Sequence, residues 1–245
     1  MNWRTILTLA LILFVLPTPA AAQNATINVE AFRPAAHTGD YITTESSLVP
    51  GHMQWNAGAW LHYGHNPLVI LDNTTGTEEL EKRISVIQSQ LALDVFGSLA
   101  IYDWVDIGLA IPVFLLNKGQ PGAADGLVLE KPIPQSALGD IRLSPKVRLL
   151  SRRGKNKHNG FGLSVTLGAS LPTGNPDAFV SDGFTFEPTL IMDYVVGPIE
   201  IAINLGGRLG AEDCLVNVNG NIRNNLFCVS NQLTYRAATR WSPTE

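Results

Sequence analysis

The segment VDIGLAIPVFL at residues 105–115 shows most clearly what kind of fold this sequence encodes. Its odd-numbered positions carry Val, Ile, Leu, Ile, Val and Leu, whereas its even-numbered positions carry Asp, Gly, Ala, Pro and Phe. Successive side chains of a β-strand point to opposite faces of the sheet. The alternation therefore predicts a strand with one apolar face and one small or polar face.

Seven other segments alternate in a similar way, so the sequence predicts eight strands in all. Most are about ten residues long, which is the length that a tilted β-strand needs to cross a bilayer. Four of them alternate clearly and three less so: residues 141–149, 161–171, 184–194 and 199–209, and residues 55–63, 86–96 and 233–241.

The connectors between these segments alternate between long and short. In chain order they are residues 64–83, 97–103, 116–138, 151–159, 173–183, 197–198 and 210–229. Outer-membrane barrels have long loops outside and tight turns on the periplasmic side. We therefore predict an all-β fold, an antiparallel up-and-down transmembrane β-barrel of eight or more strands.

Composition excludes several other classes of protein. The chain has 245 residues, of which 45% are hydrophobic and 16% charged, with a formal net charge of −4. It is not basic enough for a nucleic-acid binder, nor charged enough for a disordered chain. It contains one long apolar run, at the N-terminus, which argues against a helical membrane protein because each span needs about 20 apolar residues.

The N-terminal segment reads as an export signal. A single arginine precedes the apolar run of residues 6–16, and Ala20–Ala22 forms a small-residue cleavage pattern, as in a signal peptide. We predict a signal peptide at residues 1–22, an irregular N-terminal segment at 23–54, called the lead below, and the barrel domain at 55–245.

Charged residues lie on the polar faces of the predicted strands. A Lys or Arg side chain facing lipid near the bilayer midplane costs about 2–4 kcal/mol, so these faces should line the lumen. We expect either an internal salt-bridge network or a basic constriction that admits anions. The candidate lumen or solute-path residues are Arg142, Lys146, Arg148, Asp106, Glu187, Asp193, Glu200, Arg208, Arg236 and Arg240. Glycines on the same faces would let a ligand or plug approach the wall closely.

Few residues suggest other chemistry. Cys214 and Cys228 fall in one predicted outer loop, and in an exported protein they are expected to form a disulfide, free thiols or a metal site being the alternatives. His62 and His65 are three positions apart and so point to opposite faces of a strand. We predict no catalytic residue, no metal site and no cofactor, and therefore no enzyme.

Three motifs resemble a known group of proteins. Residues 103–112 (DWVDIGLAIP), 139–146 (GDIRLSPK) and 171–174 (LPTG) are similar to strand motifs of Gram-negative barrels in the phenol-degradation-pathway transporter group. Residues 32–34 and 50–60 also resemble the barrel part of deltaproteobacterial OmpA-family proteins. The sequence does not end on the aromatic residue that is usual in such barrels, and it shows no peptidoglycan-binding domain after the barrel. We therefore expect a fragment of a longer protein or an eight-stranded barrel with an atypical tail.

These patterns favour an outer-membrane protein that passes small solutes, as a porin or a transporter does. The first alternative is a non-conducting structural barrel of the OmpA type, and the second is a soluble periplasmic β-sandwich or lipocalin-like binding module. The expected partners are outer-membrane lipid, the barrel-insertion machinery and small solutes, with no nucleic acid. The oligomeric state is not predicted.

Overall fold

A computed structural model of the chain describes residues 28–30, 32–72, 82–119, 132–151, 159–210, 213–219, 222–229 and 231–242. The strands are β1 (Trp55–Asp72), β2 (Lys82–Tyr102), β3 (Val105–Gly119), β4 (Ala137–Leu138), β5 (Ile141–Leu150), β6 (Asn159–Leu171), β7 (Thr185–Val196), β8 (Ile199–Gly210), β9 (Asp213–Asn219), β10 (Ile222–Val229) and β11 (Gln232–Trp241). A short 3₁₀ turn at Pro176–Ala178 lies between β6 and β7. In this part of the chain, no helix is long and apolar enough to cross a membrane.

The long strands form one antiparallel sheet in the order β1-β2-β3-β5-β6-β7-β8-β11, and β4 pairs with β3. Each long strand lies beside the next one along the chain, which confirms the predicted all-β, up-and-down antiparallel fold. The sheet curls into a barrel-like wall whose concave side is called the lumen below. Within the described residues, β1 and β11 are its two edges, and β9 and β10 form a separate hairpin.

β1 and β2 exceed their predicted segments most. β1 has 18 residues and β2 has 21, because their pairing continues beyond the predicted segments to Asp72 and Lys82. Register shifts near Leu68 interrupt the side-chain alternation there, which hides this extension from a periodicity argument. The hairpin of β9 and β10 lies inside the predicted connector 210–229. Val216, Val218 and Ile222 alternate there with polar residues, a short period-two signal that the prediction of a loop overlooks.

Tight turns lie at one end of the sheet. Asp103 and Trp104 join β2 to β3, and Gly197 and Pro198 join β7 to β8. Gly197 has φ of 54°, a left-handed conformation that glycine adopts at little cost. Longer connectors lie at the opposite end, as the alternation of connector lengths predicts.

The connector between β6 and β7 folds inward over the lumen at the long-connector end. Its residues Ala178 and Val180 pack against Ala92 and Phe114 of the wall, and all four are fully buried. Asn117 Nδ2 donates a hydrogen bond of 2.8 Å to the Ala178 carbonyl oxygen. These contacts form a small apolar cap, and Val86, Ile87 and Phe179 form a second apolar cluster at the same end.

Candidate functional site

The two faces of the sheet have opposite polarity. On β8, Ala202 and Asn204 face the lumen and are 0% and 1% exposed, whereas Ile201 and Ile203 on the convex face are 45% and 43% exposed. A water-soluble domain buries its large apolar side chains. Exposed apolar side chains outside and buried polar ones inside instead fit strands whose outer surface contacts lipid.

Exposed aromatic side chains lie at the tight-turn end of the sheet. Trp55, Tyr102, Trp104 and Trp241 are each about half exposed or more. The rings of Tyr102 and Trp104 stack with their centroids 6.0 Å apart. Amphipathic rings concentrate where a membrane meets water, so this end of the sheet has the composition of a membrane boundary.

The lead lies inside the lumen and runs along its length. At the long-connector end, the backbone N–H of Val29 donates to the carbonyl oxygen of Phe179 at 3.0 Å. At the tight-turn end, the N–H of Met53 donates to the carbonyl oxygen of Ala100 at 2.8 Å. The described lead residues between these points form no helix or strand of their own, and wall side chains hold them in place.

A buried lysine on β5 holds the middle of the lead. Lys146 Nζ lies 2.9 Å from Asp40 Oδ1, donates to the Ser46 carbonyl oxygen at 3.0 Å and lies 3.8 Å from Glu45 Oε2. The side chain of Lys146 is 0% exposed and that of Asp40 is 3% exposed. A buried ammonium group is stable only with such partners, so the lead completes the environment of this wall residue.

Two further wall residues bind the same part of the lead. Asp193 accepts hydrogen bonds from the N–H and hydroxyl of Ser47, at 2.7 and 2.6 Å. Asn204 accepts from the Glu45 N–H at 2.7 Å and donates to the Glu45 carbonyl oxygen at 2.9 Å. The Glu45 carboxylate accepts from the Thr166 hydroxyl at 2.6 Å. Side chains of the wall thus make the hydrogen bonds that the backbone of the lead would make to a neighbouring strand if it lay in a sheet.

A glycine in the wall makes room for the lead. His37 Nδ1 lies 3.0 Å from Asp106 Oδ2, and both side chains are buried. A Cβ atom at Gly108 would lie 2.9 Å from the His37 ring and 2.5 Å from Ser144 Oγ. The close approach expected for glycines on the polar faces is therefore made at this position by the lead.

Near the long-connector end, arginines and carboxylates form a cluster. Arg33 of the lead lies 2.9 Å from Asp182 and 2.9 Å from Glu187. Arg208 of β8 contacts Asp182 and lies 3.2 Å from Glu187. The lead, the inward-folded connector and two strands are thereby joined by shared ion pairs.

A second polar group lies beside this cluster. Asp94 Oδ1 accepts from Arg142 at 2.9 Å, and Asp94 Oδ2 lies 2.9 Å from His62 Nε2. Glu30 of the lead lies close by, and one donor atom from each of Glu30, His62 and Asp94 is within 4.8 Å of the others. These three are the described His and carboxylate residues whose geometry could hold a metal ion.

Burial and neighbouring charges shift the pKa values of the lead carboxyl groups. Burial raises the pKa of Glu30, although Arg142 and Arg33 partly oppose that shift. Burial also raises the pKa of Asp40. For Glu45 burial acts in the same direction, but Lys146 and His37 outweigh it and the pKa is lowered. One lysine between two buried carboxyl groups fully compensates only one of them, which explains the opposite directions.

The structure places all ten predicted lumen residues on the concave side of the sheet. Some pair across the wall, as Arg240 with Glu200 at 2.7 Å, and others pair with the lead, as Arg148 with the Val49 carbonyl oxygen at 3.1 Å. Such contacts are made by Arg142, Lys146, Arg148, Asp106, Glu187, Asp193, Glu200, Arg208 and Arg240, and Arg236 lines a small cavity beside the lead. On β5, Arg142 and Lys146 are ion-paired, whereas Arg148 is bonded to the lead and borders a cavity at the tight-turn end.

Sequence reasoning missed the part that the lead takes in the site. The sequence analysis gives Glu30, Asp40 and Glu45 no role, and it places His62 only on the opposite face from His65, whereas His62 lies inside beside Asp94. A usable signal was present, because residues 30–45 carry charges of both signs in a segment otherwise rich in Pro, Thr and Ala. A charged side chain is costly to bury in the lumen unless a wall residue of opposite charge pairs with it.

Cavities remain beside the lead. One, of about 640 Å³, lies between lead residues 35–44 and strands β1 and β11, and its lining includes Tyr41, Trp60, Phe96 and Ala238. A second, of about 560 Å³, lies at the tight-turn end near Arg148 and Gln54. The lead thus fills the lumen beside β3 and β5–β8 but leaves space beside the two edge strands.

Two predictions fall partly or wholly outside the described residues. The predicted signal peptide at residues 1–22 lies outside them. For the cysteines the backbone is described, and the register of β9 and β10 places Cys214 directly opposite Cys228. Their side chains lie outside the described set, so the disulfide stays a prediction.

Comparison with known proteins gives one match. The model of a family described as "Putative MetA-pathway of phenol degradation" matches residues 94–244, more than half of the chain. No curated protein and no solved structure matches the chain. The match agrees with the resemblance to the phenol-degradation-pathway group and does not extend to the OmpA-family resemblance.

Proposed function

The chain belongs to the MetA-pathway family of phenol degradation, and on that premise we propose that it is an outer-membrane barrel that passes small solutes. The family and the barrel-like sheet both fit an outer-membrane protein. In this proposal the convex apolar face contacts lipid, and solutes cross through the lumen beside the lead.

The observation that carries the proposal is the cavity of about 640 Å³ next to the lead. A barrel with a purely structural role gains stability from a packed interior, because unfilled space forfeits packing contacts. Here the lead is fixed on one side by buried ion pairs and leaves the other side unfilled. That asymmetry suits a constriction that narrows a passage without closing it.

The lining of this cavity suggests a class of solute. Trp60, Phe96 and Tyr41 offer aromatic surfaces, while Arg240 offers a charged group. Small ligand sites combine apolar and aromatic walls with a few polar groups that fix orientation. We propose small aromatic solutes with one polar substituent, and phenol, which the family description names, is the first to test.

Ion conductance across a planar lipid bilayer tests the proposal. The folded full chain is expected to produce discrete current steps. Ala238→Trp should reduce the step size because Ala238 lines the cavity from β11. Tyr235→Trp is the control, since Tyr235 lies on the same strand, is exposed on the outward face and is not among the residues that line the cavity.

A comparison of phenol with cyclohexanol then tests whether the passage prefers aromatic solutes. We expect phenol to reduce the wild-type current at concentrations at which cyclohexanol, of similar size, does not. Equal effects of the two compounds would contradict the aromatic class. A silent bilayer at high protein load would contradict solute passage altogether and leave the structural barrel as the function.

A further inference from the structure

We propose that Glu30, His62 and Asp94 form a binding site for a divalent transition-metal ion, with Zn²⁺ as the ion that fits their ligand chemistry best. The three residues come from three parts of the fold: the lead, β1 and β2. Each offers one donor atom, and these atoms lie within 4.8 Å of one another. Donor atoms around a tetrahedral Zn²⁺ are ~3.3 Å apart at the usual bond lengths, so His62 Nε2 and Asp94 Oδ2, now 2.9 Å apart, would separate slightly around the ion.

The position of Asp94 resembles that of a metal-ligating carboxylate. Its side chain is fully buried, and Arg142 donates to Oδ1, which leaves Oδ2 facing His62 Nε2 at 2.9 Å. Carboxylates that bind metals are commonly oriented by such an outer hydrogen bond. The His62 ring is also packed against Phe32, with ring centroids 4.9 Å apart, which restricts its orientation.

Glu30 supplies the second, independent observation. Its side chain is 1% exposed, and its Oε1 atom has no hydrogen-bond partner among the described residues. Its other oxygen lies 3.9 Å from Arg33 Nε, a contact longer than a hydrogen bond. A buried carboxylate oxygen without a partner is costly, and a cation at this point would satisfy it.

The charge balance around the site also leaves room for a cation. The ion pairs at this end of the lumen join four carboxylates to three guanidinium groups: Glu30, Asp94, Asp182 and Glu187 with Arg33, Arg142 and Arg208. The excess is negative. A divalent ion would replace this excess by a positive one of equal size.

The donor set points to Zn²⁺ rather than to Mg²⁺ or Ca²⁺. One imidazole nitrogen with two carboxylate oxygens suits Zn²⁺ and similar first-row ions, whereas Mg²⁺ and Ca²⁺ prefer oxygen ligands alone. Three protein ligands leave a fourth position for water. Because Glu30 belongs to the lead, a bound ion would fasten the lead to β1 and β2, on the side of the wall where few other ion pairs hold it.

Isothermal titration of the folded, chelator-treated full chain with Zn²⁺ tests the site. We expect one Zn²⁺ per chain, and at least tenfold weaker binding for His62→Gln and for Glu30→Gln. His65→Gln is the matched control, because His65 is exposed on the same strand and lies outside the cluster. Ca²⁺ at the same concentration should give no comparable binding.

These measurements can also contradict the proposed zinc site. Wild-type protein that takes up no Zn²⁺, or His62→Gln protein that keeps the wild-type affinity, would overturn the proposal. If the variants do not fold, X-ray absorption of the Zn²⁺-loaded wild type decides, since the proposal requires a single imidazole ligand with oxygen neighbours and several imidazoles would contradict it. None of these measurements needs a conducting barrel, so the site and solute passage can fail separately.

Discussion

The ammonium group of Lys146 lies 2.9 Å from the Asp40 carboxylate, and this contact joins the barrel wall to the lead at a point fully shielded from solvent. The two residues are 106 positions apart in the sequence. Around them, Asp193, Asn204 and Asp106 hold neighbouring parts of the same segment. The lead therefore acts as an internal part of the barrel and not as an appended tail.

Replacing Lys146 should destabilise the protein strongly. Lys146→Met leaves Asp40 buried without its cation, and breaking a buried ion pair on one side costs about 3–5 kcal/mol. The double variant Lys146→Met/Asp40→Asn should recover only part of that loss, because Asp40 is then neutral but Glu45 still lacks its cation. Equilibrium unfolding in detergent, followed by the β-sheet circular dichroism signal, measures both.

Lys118→Met is the control for that series, since Lys118 is exposed near the end of β3. It should unfold like the wild type. A Lys146→Met protein as stable as this control would show that the buried pair does not hold the lead.

Acidification should weaken the attachment of the lead through Glu45. The pKa of Glu45 is lowered in the folded protein, so its ion-pair contribution is present above about pH 4.5 and is lost as the pH falls through the folded value. Glu45→Gln should therefore lower the free energy of unfolding near pH 7 and flatten its decline below pH 4.5. Unfolding curves at a series of pH values give this comparison.

Asp40→Asn serves as the contrasting variant, because burial raises the pKa of Asp40. Its linkage has the opposite sign: the folded state holds this proton more tightly, so stability decreases as the pH rises above about 3.8. In the Asp40→Asn protein the free energy of unfolding should not show that decrease. Parallel pH profiles for the two variants would be inconsistent with the opposite shifts.

An arginine on the convex face should be costly in the middle of a strand and tolerated at its end. Ile203 and Ile199 both face outward on β8, but Ile199 adjoins the tight turn. Ile203→Arg should make folding into a bilayer less favourable by about 2–4 kcal/mol, and Ile199→Arg by only about 0–1 kcal/mol. Reversible folding into lipid vesicles measures the difference, and equal costs at the two depths would argue against a membrane-embedded face.

The two cysteines should form a disulfide. The register places Cys214 opposite Cys228, and opposed residues of antiparallel strands have Cα atoms about 4.5–5.5 Å apart, within the range that a disulfide spans. Thiol alkylation followed by mass spectrometry should label neither cysteine without reductant and both after reduction. Full labelling of the unreduced, exported protein would contradict the pairing.

Much of the wall follows from the sequence because alternation is a local property. The inward position of Arg142, Lys146 and Arg148 follows from the period of two along β5 and from the cost of placing arginine in lipid. The position of the tight turns follows similarly from the spacing of the alternating segments. Neither inference requires knowledge of what fills the lumen.

The lead could not be placed in the same way. Its contacts, such as Ser47 with Asp193 or Glu45 with Asn204, join residues about 150 positions apart and have no periodic signature. The site at Glu30, His62 and Asp94 was missed for the same reason, because it depends on where an irregular segment runs. Register shifts near Leu68 likewise hide the outer half of β1.

Spin labels placed one at a time at residues 201–205 of β8, in a Cys214→Ser/Cys228→Ser protein folded into vesicles, test the central claim most directly. Labels at the outward positions 201, 203 and 205 should be accessible to oxygen dissolved in the bilayer and protected from a water-soluble nickel complex. Labels at 202 and 204 should be poorly accessible to both, since the lead covers them. If the nickel complex reached the outward labels as readily as oxygen does, the result would contradict a strand that faces lipid on one side and a filled lumen on the other.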